Sequence, residues 1–292
     1  MIYIICGPTG SGKTSAAIKL ADYLDCPIIN GDAFQIYKGM DIGTAKIDKN
    51  HPAYKKHYLL DIVTPDNCYS VKDYQEAFRK AVDELNKQYK DIVVCGGTGL
   101  YIRASIYDYV FEEHEADDVS DLEQMSNEQL WELLNKLDIE ACKTIHPNNR
   151  KRVIRAISIA RTNSISKSKN IEMQEHKLIY DNVRVLLLNP DRTLLYENIN
   201  KRVDEMFEKG LINEVKSLSK LYDLSKTARQ AIGYKEVLEY LDGNLSLDNC
   251  LELIKQRTRN YAKRQVTFFK HQFEAESFEN PEELLKALGV NG

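Results

Sequence analysis

No apolar run in this chain approaches the roughly 20 residues that a helix needs to cross a bilayer, so no membrane partner is expected. No charged leader with a small-residue cleavage site precedes the first apolar run, Ile2-Tyr3-Ile4-Ile5-Cys6, so no secretory signal is expected either. The six cysteines (Cys6, Cys26, Cys68, Cys95, Cys142, Cys250) are scattered and form no C-x-x-C pair. That argues against a disulfide framework or a zinc site and makes a reducing cytoplasm the expected location. The net charge of −4 is a weak argument against a nucleic-acid partner.

The distribution of charge reverses that impression. Residues 112–123 carry seven acidic groups and no Lys or Arg. Residues 143–170 carry eight Lys/Arg and no Asp or Glu, and residues 255–273 carry six and no acid. Such stretches are either footprints for a polyanion or solvated helix faces, and charge alone does not choose between them. The 292 residues allow one large domain or two of moderate size, and 43% hydrophobic with 29% charged residues is the balance of a globular protein.

The residues Gly7-Pro8-Thr9-Gly10-Ser11-Gly12-Lys13-Thr14 fit the phosphate-cradling pattern G-x-x-x-x-G-K-[ST]. The apolar run before them reads as a buried strand, and Lys13 to Leu24 reads as a helix with Ala16, Ala17, Leu20 and Leu24 on one side. Strand, glycine loop and helix set free N–H groups against an anion. Whether the phosphates belong to ATP, GTP or another compound is open at this point.

Strand and helix alternate through the first hundred residues. Pro27-Ile28-Ile29-Asn30 and Ile92-Val93-Val94-Cys95 read as strands, and Ser70 to Asp73 reads as a capping box opening a helix to about Tyr89. This rhythm predicts a P-loop NTPase-like α/β fold, a parallel sheet flanked by helices. It stops after Ser105. Residues 112–123 read as loop, Ser126 with Gln129 as a helix start, Asn148 to Arg161 as a helix, and Thr162 to Asn170 as a mobile polar tip. A strand returns at Val183–Leu188, and residues 191–270 are mostly helical. The expected division is a core of 1–106 with 183–292, and a mainly helical insertion of 107–182.

Ligands of open parallel sheets bind beyond the carboxyl ends of the strands. Asp32 and Thr98 follow two such ends and face a ligand on the P-loop, unless they only cap their own helices. Asn135-Lys136-Leu137-Asp138 spells the guanine-reading N-K-x-D, but it continues an amphipathic helix, and no D-x-x-G occurs. It reads as coincidence. In Gln256 to His271, Ile254, Tyr261 and Phe268 recur every seven residues and should face the core, with Arg257, Lys263, Arg264 and Lys270 on the other side.

Together these pieces resemble the tRNA dimethylallyltransferases (tRNA isopentenyltransferases). The most specific run is Asp32-Ala33-Phe34-Gln35-Ile36-Tyr37-Lys38-Gly39-Met40-Asp41-Ile42-Gly43-Thr44-Ala45-Lys46. The likeness continues through Gly96-Gly97-Thr98-Gly99-Leu100-Tyr101, Ile145-His146-Pro147-Asn148, Arg202-Val203-Asp204-Glu205-Met206 and Gly210-Leu211. It then takes in Gln230-Ala231-Ile232-Gly233-Tyr234-Lys235 and Lys263-Arg264-Gln265-Val266-Thr267-Phe268.

The resemblance implies transfer of a dimethylallyl group from dimethylallyl diphosphate to N6 of adenine-37, beside the anticodon of tRNAs reading codons that begin with U. It makes Gly7 to Thr14 a clamp for the donor's diphosphate, with Mg²⁺ near Thr14. Lys13 and Arg202 become stabilisers of the leaving group, Asp32 the proton acceptor, and Thr98 a holder of the reacting end. Ala33, Phe34 and Gln35 are implied to touch the flipped base and its neighbours. Lys151, Arg152, Arg155, Gln230, Gly233, Tyr234, Lys235, Lys263, Arg264 and Lys270 are implied to contact the tRNA anticodon stem-loop, which the insertion would clasp. A monomer is expected. Ala33 stands where the family often has Ser, Asn149-Arg150 where Asp-Pro is usual, and the stretch from Tyr107 to Glu128 is short. These departures bear on the grip on RNA rather than on the chemistry. The absence of a C-terminal zinc finger points to the bacterial type. Rival readings are a P-loop small-molecule kinase, an adenylate isopentenyltransferase and a non-catalytic RNA-binding NTP sensor.

Overall fold

Apolar runs become central strands because a parallel sheet is covered on both faces. In the computed structural model, which describes residues 1–111, 119–162 and 177–290, the strands are β1 (Ile2–Cys6), β2 (Ile28–Asn30), β3 (His57–Tyr58), β4 (Ile92–Gly96), β5 (Val183–Leu188) and β6 (Ala275–Phe278). They form one six-stranded parallel sheet in the order β3-β2-β4-β1-β5-β6. In the centre Ile4 pairs with Val94 on one side and Val185 on the other. The outermost strands are the short or polar ones, His57-Tyr58 and Ala275-Glu276-Ser277-Phe278, as suits a sheet edge.

Helices α1 (Lys13–Tyr23), α2 (Val71–Leu85) and α3 (Gly99–Ile106) complete the first half of the core. Ala16, Ala17 and Leu20 of α1 bury against Ile5, Val93 and Leu186 of the sheet. Ser70 and Asp73 form the predicted capping box of α2, which ends at Leu85 rather than near Tyr89. The chain turns there, with the Gln88 and Tyr89 N–H groups both donating to the Leu85 carbonyl. After β5 come α8 (Arg192–Glu208), α9 (Leu211–Leu221), α10 (Tyr234–Leu241), α11 (Leu247–Gln272) and α12 (Pro281–Ala287). A second core joins Val203, Leu211, Val215, Val237 and Ile254 of these helices to Ile36, Tyr37 and Met40. The Asp32–Lys46 run is thereby fastened to the helices rather than left as a surface loop.

The chain divides into two compact units, Met1–Ile106 with Tyr180–Gly292, and Tyr107–Ile179. The second holds α4 (Ser120–Gln124), α5 (Asn127–Leu137), α6 (Ile139–Thr144) and α7 (Arg150–Thr162) around Leu122, Leu130, Leu134, Val153 and Ile157. Its start corrects one expectation: within the acidic 112–123 stretch, Ser120–Gln124 is helical, because Leu122 is fully buried and Asp121 and Glu123 suit a first turn. Residues 112–118 of that stretch, and residues 163–170 of the expected tip, lie outside the described residues. Asn135 to Leu137 lie inside α5, and Asp138 caps α6 by accepting the Ala141 N–H at 3.1 Å. No strand end is there to present a base-reading motif. Among the described residues no helix is long and apolar enough to cross a membrane.

Candidate active site

The phosphate loop begins where β1 ends. Gly7 has φ +151°, and a Cβ there would lie 2.6 Å from the Leu188 carbonyl oxygen, so no larger residue fits. Gly12 leads into α1, whose first turn has no acidic residue and no side-chain cap. Its N–H groups are therefore open to an anion. The Lys13 ammonium donates to the Pro8 carbonyl at 3.2 Å and folds back over the loop. Burial draws its pKa below the ordinary lysine value, with Arg202 adding to the effect and Asp32 opposing it. The Ser11 hydroxyl is buried without a partner, and Thr14 is exposed on the first turn.

The segments that carry Asp32 and Thr98 meet because β2 and β4 are neighbours whose ends nearly touch, the Thr98 N–H donating to the Gly31 carbonyl at 3.1 Å. A Cβ on Gly96 would stand 2.1 Å from the Gly31 carbonyl carbon, so only glycine permits this approach. Asn30 brackets Asp32, its Oδ1 accepting the Asp32 N–H at 3.0 Å and its Nδ2 donating to the Asp32 carbonyl at 3.0 Å. Asp32 Oδ1 accepts the Phe34 N–H at 2.9 Å, and Thr98 Oγ1 accepts the Ala33 N–H at 3.0 Å. Arg202 comes from α8. Burial lowers its pKa and the Asp32 carboxylate partly offsets that, which places the two charges in one electrostatic environment.

Asp32, Thr9 and Arg202 line one cavity of about 270 Å³. Its remaining wall is largely apolar, with Val203, Met206, Ala231, Ile232 and Ile254. A wider cleft of about 800 Å³, with Lys49, Lys201 and Lys209 among its lining, shares Arg202 and Met206. The smaller cavity is the better site for bond-making, since it brings carboxylate, guanidinium and phosphate loop together beside an apolar surface.

Two residues of this site were not singled out from the sequence. Gln265 is buried; its Oε1 accepts the Thr9 N–H at 3.1 Å and its Nε2 donates to the Gly97 carbonyl at 2.9 Å. It ties the phosphate loop to the turn that carries Thr98. Tyr261 was expected in the core but lines the cavity. Burial and Asp32 push its phenol up to about 12, against hydrogen bonds to Thr98 and Gln265 that lower it. The available signal was polarity: a tyrosine and a glutamine on the inward side of a helix need partners for their polar atoms.

The residues implied in RNA contact divide. Phe34 lines the cavity, Ala33 is half-buried, and Gln35 donates to the Thr44 carbonyl at 3.0 Å. Lys151, Arg152 and Arg155 are exposed on α7. Lys263, Arg264 and Lys270 are exposed on α11, and the Arg264 guanidinium lies 5.7 Å from the centre of the Tyr261 ring. Gln230 is exposed and lines the cavity, and Lys235 is half-buried. Gly233 and Tyr234 depart from the expectation. Gly233 is buried and its N–H donates to Glu236 at 2.7 Å, while Tyr234 is fully buried with its hydroxyl on Glu214. Both work inside the protein, because the turn before α10 points into the helical core. Arg257 likewise does not join an open basic face; it pairs with the buried Glu236.

A parallel sheet whose first strand feeds a glycine loop into an open helix N-terminus defines a P-loop-type α/β protein. Residues 35–272 match the family model described as IPP transferase, and the chain belongs to that family. The chain is 41% identical over 292 residues to the tRNA dimethylallyltransferase of Anoxybacillus flavithermus, covering 99% of this chain and 94% of the relative. It is 43% identical over 289 residues to the tRNA dimethylallyltransferase of Bacillus subtilis, covering 95% and 90%. The crystal structure of a tRNA delta(2)-isopentenylpyrophosphate transferase from Staphylococcus epidermidis superposes with a TM-score of 0.72 at 37% identity, covering 99% of this chain and 97% of that one. A eukaryotic dimethylallyltransferase solved acting on tRNA gives a TM-score of 0.80 at 26% identity, covering 94% and 73%.

Proposed function

We propose that this protein transfers a dimethylallyl group from dimethylallyl diphosphate to N6 of adenine-37, beside the anticodon of tRNAs that read codons beginning with U, and releases diphosphate. The observation that carries this reading is the shared lining of one cavity by Asp32, Arg202 and Thr9 of the phosphate loop, beside an apolar wall. A kinase needs a site for a phosphoryl acceptor; an apolar wall beside a diphosphate clamp suits a prenyl chain better.

The bond between the allylic carbon and the diphosphate oxygen breaks while the N6–carbon bond forms. Negative charge grows on the departing oxygens, where the α1 N–H groups, Lys13 and Arg202 stabilise it. The low lysine pKa caused by burial marks an ammonium short of water, and a bound diphosphate would replace that lost solvation. The exocyclic amine is barely basic and must shed a proton as it is alkylated. Asp32 accepts that proton and orients the nitrogen, its own carboxylate being held by the Phe34 N–H. An adenine reaches this cavity from an unpaired loop at lower cost than from a duplex. The exposed cations of α7 and α11 supply contacts for the anticodon stem-loop.

Mg²⁺ belongs to the same proposal. Among the described residues no group of three His, Cys, Asp or Glu could hold a metal. The Thr14 hydroxyl, on the first turn of α1 and hydrogen-bonded to Cys95, is a hard oxygen donor, suited to an ion that takes its other ligands from diphosphate and water. When bound there, the ion would offset charge on the leaving diphosphate.

The test is incubation with Mg²⁺, labelled dimethylallyl diphosphate and either unmodified tRNA or AMP plus ATP. The expected result is label on tRNA, abolished when the target adenine is replaced. Phosphate transfer from ATP without labelled tRNA would sink the proposal, and label on AMP alone would replace it with adenylate prenylation.

A further inference from the structure

Tyr234 belongs to a stretch that resembles an RNA-contact motif, yet its ring is fully buried and its hydroxyl donates to Glu214 Oε1. Glu214 stands in the first turn of α9. Its carboxylate also accepts three consecutive backbone N–H groups, from Asp41 at 3.1 Å, Ile42 at 2.7 Å and Gly43 at 3.2 Å. Hydrogen bonds to a charged acceptor are the strong ones, and four on one carboxylate hold a turn in one geometry. If the pair served only to pack α9 on α10, the Tyr234 bond would suffice. Three of the four bonds go instead to the 41–43 turn.

That turn leads into the cavity. Gly43 and Thr44 both line it. The Thr44 carbonyl accepts from Gln35 Nε2 at 3.0 Å and from the Arg202 guanidinium at 3.4 Å. The Thr44 hydroxyl closes the turn on the Met40 carbonyl at 2.6 Å. The Tyr234 ring backs the same turn, since a Cβ on Gly43 would lie 2.4 Å from its Cε2. On the far side of the turn, Lys46 holds Asp41 at 2.8 Å and Asp61 at 2.7 Å. The chain of contact thus runs from Tyr234 and Glu214, through the backbone of residues 41–44, to the guanidinium that shares the cavity lining with Asp32.

We infer that Glu214 and Tyr234 are positioning residues for diphosphate binding, setting the Gly43–Thr44 wall and, through the Thr44 carbonyl, the pose of Arg202. The inference rests on the proposed function, in which Arg202 grips the donor's diphosphate. It assigns Tyr234 to the donor side of the reaction rather than to RNA.

The test is a double-mutant cycle read by calorimetric titration with inorganic diphosphate, alongside the KM for dimethylallyl diphosphate and the Kd for tRNA. Tyr234→Phe keeps the ring against Gly43 and removes only the hydroxyl; Glu214→Gln keeps the shape and removes the charge. Each is expected to raise the diphosphate Kd and donor KM about fivefold to tenfold, with tRNA affinity within about twofold of normal. In an Arg202→Ala background, Tyr234→Phe is expected to change the diphosphate Kd less than about twofold, because the group it acts through is gone. Equal losses in both backgrounds, an unchanged diphosphate Kd in Tyr234→Phe, or lost tRNA affinity with donor binding intact would each overturn the inference. If Glu214→Gln does not fold, the Tyr234→Phe cycle decides alone. The titration needs no turnover: a wild-type protein that binds diphosphate but labels no tRNA sinks the proposed reaction, and the cycle still reads the inference.

Discussion

Residues 143–170 and 255–273 look alike as sequence, each rich in Lys and Arg and free of Asp and Glu, yet the structure uses them differently. In the first, Arg161 makes a two-pronged bond to Asp121, and Arg150 binds the Asn127 side chain and the carbonyls of Leu122 and Glu123. In the second, Lys255 pairs with Asp204, Arg257 with Glu236, and Arg259 bonds to Asn200. Each stretch thus spends part of its charge on partners far along the chain. Exposed cations remain on both, Lys151, Arg152 and Arg155 on α7 and Lys263, Arg264 and Lys270 on α11. The inward faces differ more. That of α7 is mostly apolar, with Val153, Ala156 and Ile157 beside a buried Ser158, whereas α11 turns Tyr261 and Gln265 toward the phosphate loop and Thr98. A stretch without local acids is therefore not a stretch of unspent charge, and α11 alone of the two carries exposed cations on one side and cavity-lining Tyr261 and Gln265 on another.

Substitutions can break that contrast. The reference for a loss of chemistry alone is Asp32→Asn. Its transfer rate should fall about a hundredfold to ten-thousandfold, with tRNA affinity near normal by filter binding. Full activity would remove the proton-acceptor role, and a matching pattern in any α7 variant would erase the distinction between the helices. Next comes Arg257→Ala, which leaves Glu236 buried without its cation. A destabilisation of about 1–3 kcal/mol in urea melts is expected, reduced from the fully buried case because Arg257 is partly solvated. A neutral result would mean that its charge is as free as the sequence suggests.

Gln265→Leu removes the partners of the Thr9 N–H and the Gly97 carbonyl. It should weaken diphosphate binding and cost about 1–3 kcal/mol of stability. If only tRNA binding suffered, α11 would be no more than a second α7. The smallest expected effects are those of Lys151→Ala and Lys263→Ala. Each should weaken tRNA a fewfold and lower the salt-dependence slope by roughly one, leaving donor KM unchanged. Equal loss for both substrates would point to packing instead. As a control, Arg161→Ala, losing an exposed and solvent-screened pair with Asp121, should leave both the urea midpoint and the slope essentially unchanged.

Much of the fold was legible because its signals are local. The phosphate loop, the apolar strands and the capping boxes at Ser70 and Ser126 depend on residues within a few positions of each other. Asp32 and Thr98 were legible as strand-end residues because doubly wound sheets place ligands there. Tyr261 and Gln265 were missed because the heptad spacing of Ile254, Tyr261 and Phe268 has the same period whether the stripe faces a core or a cavity. Gly233 and Tyr234 are buried, against the expectation of RNA contact, for a related reason: a motif names the residues but not the side from which they are approached. Residues 120–123 were read as loop because their acids outnumber the single Leu122 that holds them.

The sequence by itself determined a parallel α/β core opening on a phosphate loop, and the motifs of the IPP transferase family along nearly its whole length. These rest on short-range patterns that any fold of the chain must honour. Only the tertiary structure decided which cations are spent and which are exposed, that Gln265 joins Thr9 to Gly97, and that Glu214 gathers Tyr234 with the 41–43 turn. Those contacts join residues as many as 256 positions apart. Charge and hydrogen bonding act through space, and the chain must close on itself before such partners exist.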